Sequence, residues 1–210
     1  MQPGDKHDES YKRPIKSRYL DPCELIWLAT AKRLGIHIRR SPLVFSSTDG
    51  TGRLQLSTRD DLDPDDCLAQ MFLHEICHWV TNGEQTFHER DWGFDLDGPI
   101  DHREHAGLRL QAWLADQVEL RVMFGPTGDF RQYYDRIPAD PLQPIDGSEW
   151  EAAVVKLAAE AIDRIQGPPW HPHVLEAMRA TARQRELLAP FIDDYQSLEE
   201  GDLLPSLWTA

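Results

Sequence analysis

The pattern of apolar and polar positions divides the chain into short strands followed by longer helices. Apolar residues at helical spacing predict helices over residues 22–34, 64–81, 102–123, 149–166 and 172–188. Short β-rich or alternating runs predict strands at residues 35–39, 42–46 and 53–57. A few strands ahead of several helices indicate an α+β fold, in which a small sheet packs against the helix of residues 64–81 and several further helices.

An aspartate followed by proline marks the start of two of these helices. Asp21-Pro22-Cys23-Glu24 combines a capping residue, a proline at the first helical position and a glutamate that completes a capping box. Asp63-Pro64-Asp65-Asp66 repeats this pattern and predicts that the next helix begins near Pro64. Asn82-Gly83 predicts its end, with Gly83 in a left-handed conformation.

The helix of residues 64–81 carries the residues with the clearest chemistry. Its apolar side, predicted to pack on the sheet, consists of Leu68, Phe72, Ile76 and Val80. The adjoining stripe, predicted to face a pocket, consists of Cys67, Met71, His74 and His78. His74 and His78 lie one turn apart on the same face, so both imidazoles can reach one ion. With Glu75 they form the H-E-x-x-H pattern, which is typical of a metal site with two histidine ligands and a working carboxylate. The alternative is a pair of ordinary histidines on a helix.

Two neighbours of these histidines are interpreted as packing residues. Cys77 is three residues from His74, so a thiolate ligand is conceivable, but a small buried hydrophobe is the favoured interpretation because one helix rarely gives three ligands to a compact site. Trp79 is interpreted as a core residue, since tryptophan usually buries most of its ring.

Length and composition indicate one soluble domain. The 210 residues are enough for one hydrophobic core, and we expect a single domain over residues 1–210 whose first 20 residues form a loosely held arm. No apolar run has the length of a membrane span, and the N-terminus lacks the apolar stretch of a signal peptide. Three cysteines fit neither a disulfide framework nor a zinc ribbon, which favours the cytoplasm. A net charge of −14 argues against direct nucleic-acid binding.

A metal site with two histidines needs a third protein ligand, which the sequence places downstream. The candidates are His88, Asp95, Asp97, Asp101, His102, Glu104 and His105. Glu104 shares a helical face with Leu108, Gln111 and Ala115, a mixed stripe suited to lining a pocket. His102 and His105 share a different face, and either could be a ligand or could orient one. Spacing leaves the choice open between Glu104 and these two histidines.

The choice of ligands does not by itself determine the reaction. Two histidines and a glutamate can hold zinc with a water molecule, and Glu75 would then act as general base in a zinc metallopeptidase. The same donor set, with open positions on one side, is the facial triad of non-haem iron(II) oxygenases. Both reactions are compatible with the residues.

Several short motifs around the histidine helix point to one family. His74-Glu-Ile-Cys-His-Trp79 is followed by Gly83, by Asp91-Trp-Gly-Phe94 and by Glu104 ahead of Gln111-Ala112. Gly167-Pro-Pro-Trp-His-Pro172 then leads into the last predicted helix. Over about residues 21–190 the chain resembles the bacterial elongation factor P hydroxylase family. Trp79 and the loop of residues 91–94 are the more specific part of the resemblance.

The resemblance implies a fold, a metal site and a reaction. It implies an α+β enzyme that hydroxylates a modified lysine side chain of translation elongation factor P or a similar protein. Its ligands would be His74, His78 and Glu104, holding a divalent metal that is expected to be iron(II). Glu75 would then orient a ligand, a bound water molecule or the lysyl ammonium group.

The loop before Glu104 departs from the family pattern. It is shorter, and Asp95-Leu-Asp-Gly-Pro99 stands where the family has aromatic residues and a Pro-Asp-Gly-Arg segment. Asp95, Asp97 and Asp101 could attract a cationic lysyl substrate. They could equally be ordinary turn residues.

Overall fold

The computed structural model describes residues 14, 16, 17, 19–63, 65–95 and 98–196, and side chains as far as residue 191. Most of the predicted arm, Pro64, Asp97 and the tail of residues 199–210 lie outside the described residues. The helices are α1 Pro22–Arg33, α2 Leu68–Asn82, α3 His102–Asp116, α4 Arg131–Tyr134, α5 Glu149–Ile165 and α6 His173–Gln196, and the strands are β1 His37–Ser41, β2 Ser46–Thr48 and β3 Arg53–Ser57. The predicted α+β fold is confirmed.

The sheet is small and mixed. Its strand order is β1-β3-β2, with β1 parallel and β2 antiparallel to β3. Leu54 and Leu56 on the central strand are completely buried and join the main core. The predicted strand at residues 42–46 is wrong in position, since β2 begins only at Ser46. Leu43 and Phe45 are 86% and 58% exposed, so the apolar run that suggested a strand does not pack on the core.

Helix α2 is enclosed by other elements rather than lying on one surface of the sheet. Its main partners are α3, α5 and α1, and every residue of the helix except His74 is buried. Phe72 and Ile76 lie in the same core cluster as the leucines of β3, as expected for the apolar side. A helix that is buried all round has no polar outer face. The prediction of one apolar side and one pocket-facing stripe therefore underestimated how much of α2 is buried.

Helix α2 also begins later than predicted. Cys67 is its N-cap, with its sulfur accepting from the backbone N–H of Gln70 at 3.5 Å. The acidic residues before it make other contacts: the backbone N–H of Asp66 donates to the Asp63 carbonyl at 3.0 Å, and its carboxylate accepts from the Thr127 hydroxyl at 2.5 Å. Asp63 and Asp66 thus belong to a turn ahead of the helix.

The remaining helices close the core around α2. Helix α3 ends at Asp116 rather than near residue 123, because the chain turns back at Glu119, which has a φ of 58°. Leu120, Met123 and Phe124 nevertheless fill the core from this irregular segment. Helices α5 and α6 match the predicted segments, although α6 continues to Gln196. Arg164 of α5 donates to the Thr81 carbonyl at 2.9 Å and so satisfies the C-terminal end of α2.

Among the described residues there is no helix with the length and apolar character needed to cross a bilayer.

Gly83 ends α2 in a backbone conformation that other residues rarely adopt. Its φ is 82° and its ψ is 174°, so φ is positive as predicted, although ψ is extended rather than left-handed helical. This region of φ and ψ is essentially restricted to glycine. The turn it makes leads the chain into the short 3₁₀ helix Glu84–Thr86.

We therefore expect Gly83→Val to lower the free energy of unfolding by about 1–3 kcal/mol, because valine would be strained at positive φ. Urea denaturation of the two proteins measures the difference. Gly147→Val is the matched control, since a side chain at Gly147 would meet open space and its φ is not positive. Equal stability of the Gly83→Val and Gly147→Val variants would contradict the backbone strain inferred at position 83.

Candidate metal site

The contact between α2 and α3 brings three metal-binding side chains to one point. His74 Nε2 lies 3.4 Å from Glu104 Oε1, and His78 Nε2 lies 3.7 Å from Glu104 Oε2. One donor atom from each of the three residues lies within 4.8 Å of the others. The structure thus groups the three residues that the resemblance implies as ligands, and Glu104 rather than His102 or His105 is the third member.

The donor set fits a divalent metal ion. Bonds of about 2.1 Å at tetrahedral or octahedral angles place neighbouring donor atoms about 3.0–3.4 Å apart, which is close to the two measured contacts. Glu104 Oε1 is buried with His74 Nε2 at 3.4 Å, so the carboxylate needs a cation beside it, either a protonated His74 or a metal ion. Two nitrogens and one oxygen suit zinc and iron(II) alike.

Gln111 determines which nitrogen of His74 faces the site. Its amide nitrogen donates to the Phe124 carbonyl, so its oxygen is turned towards His74, where it lies 2.9 Å from Nδ1. Nδ1 must then carry a proton, so when His74 is neutral its Nε2 lone pair faces Glu104 and the ion. Gln111 is fully buried, so this arrangement is held by the core.

Glu75 lies beside the donor set. Its Oε2 atom is 3.9 Å from His78 Nε2 and has no hydrogen-bond partner, although the side chain is almost completely buried. Burial raises the pKa of Glu75 to about 7, against the opposing influence of His74 and the Ser46 hydroxyl. A carboxylate in this position can hydrogen-bond to a water molecule or a substrate group next to the metal.

The loop of residues 91–94 covers His78. Asp91 and Trp92 have φ values of 49° and 57°, a strained conformation for residues other than glycine. Asp91 is held in place because its Oδ1 accepts from the Ser47 hydroxyl at 2.6 Å and from the Thr48 backbone N–H at 3.1 Å. The rings of Trp92 and Phe94 consequently lie 5.0 Å from the His78 ring.

The three donor groups perturb one another strongly. Burial lowers the pKa of His74, but contact with Glu104 and the charge of Glu75 outweigh this and raise it to about 9. Burial lowers the pKa of His78 to about 4, only partly opposed by Glu104. Burial raises the pKa of Glu104, but the two histidines outweigh it and lower it to about 2. The metal-free site is therefore a protonated His74 beside an ionised Glu104 and a neutral His78.

The other predicted candidates have different positions. His102 and His105 stack on Trp150 and Tyr133, respectively, and His88 is exposed. Asp101 caps α3 and pairs with Arg103 at 2.8 Å. Cys77 is fully buried and lies outside the three-residue group, as expected for a packing residue.

Two aromatic contacts complete the surroundings of the site. Trp79 is buried and meets Trp92 edge to face at 5.3 Å, which confirms its role as a core residue. Phe130 stacks on His74 at 6.4 Å. Sequence reasoning did not single out Phe130, because it lies in a loop with no motif and its position depends on how α4 packs on α3.

Comparisons with known proteins identified no relative: no protein-family model, curated protein or solved structure matched the chain.

Gln111→Leu should weaken metal binding about 10- to 100-fold, because His74 would lose the partner that fixes its tautomer. Titration with zinc or cobalt(II), followed by competition with a chelator, measures the change. Gln117→Leu, at the exposed C-terminal end of the same helix, is the matched control and should bind metal like the unmodified protein. Unchanged affinity in Gln111→Leu, with the fold intact by circular dichroism, would refute this role.

Metal binding at about pH 8 should release close to one proton. His74 has a pKa of about 9 in the metal-free protein and is therefore protonated at this pH, yet it must be neutral to donate to an ion. Affinity should accordingly rise with pH until His74 is neutral. Calorimetry in buffers of different ionisation enthalpy counts the protons, and binding without proton release would contradict the charge state inferred for His74.

Proposed function

We propose that this protein is a metal-dependent hydroxylase that uses iron(II) and acts on a modified lysine side chain of translation elongation factor P or a similar protein. The observation that carries the proposal is the position of the loop of residues 91–94. This loop is the most specific part of the resemblance to the elongation factor P hydroxylases, and its aromatic rings lie against His78. Motif and donor set thus belong to one site.

Iron(II) held by His74, His78 and Glu104 would supply oxygen activation, with one atom of O₂ entering a C–H bond and the other leaving as water with two electrons and two protons from a reductant. The surrounding residues prepare the site. Gln111 directs His74 Nε2 towards it. Phe94 lies against His78 and Phe130 against His74, and each ring limits the access of water to its imidazole.

Glu75 has a supporting role in this proposal. Its unpartnered Oε2 atom beside His78 can accept a hydrogen bond from a substrate ammonium group or from a water molecule. Because the carboxylate is buried, such a bond would be strong. It would orient the substrate side chain relative to the metal.

The sheet edge near the site also supports a hydroxylase rather than a peptidase. Ser46 of β2 faces Glu75, and an extended peptide could bind there only by adding to a free strand edge. The outward N–H of Thr48 on that strand already donates to Asp91. The loop of residues 91–94 thus occupies one of the outward backbone donors that a peptidase would offer to an extended substrate.

We place the reaction in the cytoplasm, with a protein substrate and no membrane or direct nucleic-acid partner. The three cysteines are free thiols, which suits a reducing compartment. The strongly negative net charge disfavours contact with phosphate backbones.

The direct test supplies the purified protein with iron(II), O₂, a reductant and β-lysylated elongation factor P. Mass spectrometry should show the gain of one oxygen atom on the modified lysine. Glu104→Gln is the control and should abolish the reaction, since a neutral amide is a poor ligand for the ion. No oxygen incorporation under these conditions would refute the proposed function.

A zinc hydrolase is the second candidate, and the position of Glu75 favours it. Its carboxylate lies 3.9 Å from His78 Nε2, within reach of a metal-bound water molecule, where a general base is needed. Glu75→Gln separates the two reactions. In a hydrolase the variant should retain zinc and lose peptide cleavage completely, whereas in a hydroxylase oxygen insertion should be reduced without being abolished.

A further inference from the structure

Four rings form a connected stack beside the first turn of α3. Trp150 lies on His102 with ring centroids 3.6 Å apart, and Tyr133 lies on His105 at 3.7 Å. His105 also meets Trp150 edge to face at 5.9 Å. We call these four residues the aromatic platform. The donor set described above uses none of them.

A buried ion pair holds the aromatic platform in place through Tyr133. Arg109 of α3 is completely buried and pairs with Glu151 of α5 at 2.5 Å. The Tyr133 hydroxyl joins the pair, accepting from Arg109 Nε and donating to Glu151 Oε1, both at 2.8 Å. A buried ion pair is tolerated when its remaining polar atoms are satisfied, as they are here, and such a network holds its neighbours in one geometry. Trp150 itself is held by its stack on His102 and by the hydrogen bond that its indole N–H donates to His105 Nδ1 at 3.4 Å.

The aromatic platform begins within one helical turn of the metal site. His102 and His105 flank Glu104 in the chain, and one turn of a helix rises about 5.4 Å. Trp150 is 38% exposed, although tryptophan is usually well buried. Exposed aromatic rings held rigidly in place are common anchors for binding partners.

The charges near Trp150 favour a cation. Asp146 and Glu149, close to it in the chain, are exposed, and their two negative charges are opposed by one positive charge, that of Arg136 near Asp146. Arg103, the cation on the same turn of α3, is occupied by Asp101 at 2.8 Å and lies over the Phe94 ring at 4.7 Å. The face of a tryptophan ring attracts an ammonium group more strongly than the face of any other aromatic side chain does.

We infer that the aromatic platform is a second subsite, which binds an alkylammonium group of the substrate polypeptide against the open side of Trp150. The identity of the partner rests on the proposed function. The binding chemistry rests on the stacked rings and on the charged residues near them. A basic residue held there would orient the polypeptide while the reacting side chain extends to the donor set. The fixed ring loses little conformational entropy on binding.

The test measures binding of two short peptides to the metal-loaded full-length protein by nuclear magnetic resonance. One peptide contains a single lysine, and the other has norleucine in its place, which removes the charge and keeps the alkyl chain. Trp150→Leu should weaken binding of the lysine peptide about two- to thirty-fold. Trp150→Phe should weaken it less, because the phenyl ring retains a negative face. Phe191→Leu, which changes an exposed ring on α6, is the matched control and should have no effect.

Binding that discriminates between the two peptides only when residue 150 is aromatic would support the subsite. Equal affinity of the unmodified protein for both peptides, or a Trp150→Leu variant that still prefers lysine, would overturn it. If Trp150→Leu does not fold, the comparison between the unmodified protein and Trp150→Phe decides. The binding measurement needs no O₂ and is independent of the oxygen-insertion assay. If the protein binds the lysine peptide selectively but inserts no oxygen in that assay, the subsite is supported and only the hydroxylase proposal is contradicted.

Discussion

The structure depends on the burial of one carboxylate between two imidazoles at the contact of α2 and α3. Glu104 can remain ionised there only because His74 carries a proton or because a metal ion replaces that proton. Helix packing, and not surface mobility, sets the distances among the three groups. Gln111 extends this control to the proton on His74, since its own orientation is fixed by the Phe124 carbonyl. The site is therefore built into the core.

The small sheet contributes to the site indirectly. Its edge strand β2 binds Asp91 through Ser47 and Thr48, and this contact stabilises the unfavourable backbone of the loop of residues 91–94. The turn before β3 supports the same region, because Gly50 approaches the His88 backbone so closely that a Cβ atom would lie 2.5 Å from its carbonyl oxygen. The sheet thereby places aromatic rings against His78.

Under the proposed function, the surroundings of the donor set, more than its composition, distinguish hydroxylation from peptide hydrolysis. An outward backbone donor of the sheet edge is occupied, a phenylalanine ring lies against each imidazole, and a rigid aromatic platform stands one turn away. Under the proposed function, these features would suit the entry of a single long side chain better than the binding of an extended peptide. Substrate recognition would then lie with the loop and with the N-terminal turns of α3 and α5.

The sequence by itself determined the fold class, the helix that carries His74 and His78, and the helix that follows it, because period, caps and spacing are local properties. Its local signals failed where tertiary packing overrides them. Asp63 and Asp66 lie in a turn ahead of α2, the apolar residues Leu43 and Phe45 are exposed, and α3 ends early. Spacing left Glu104 and the two histidines beside it as competing ligands. Only the packing of α3 on α2 directed Glu104 into the site and turned His102 and His105 away, since the side of a helix that meets a neighbour depends on contacts distant in the chain.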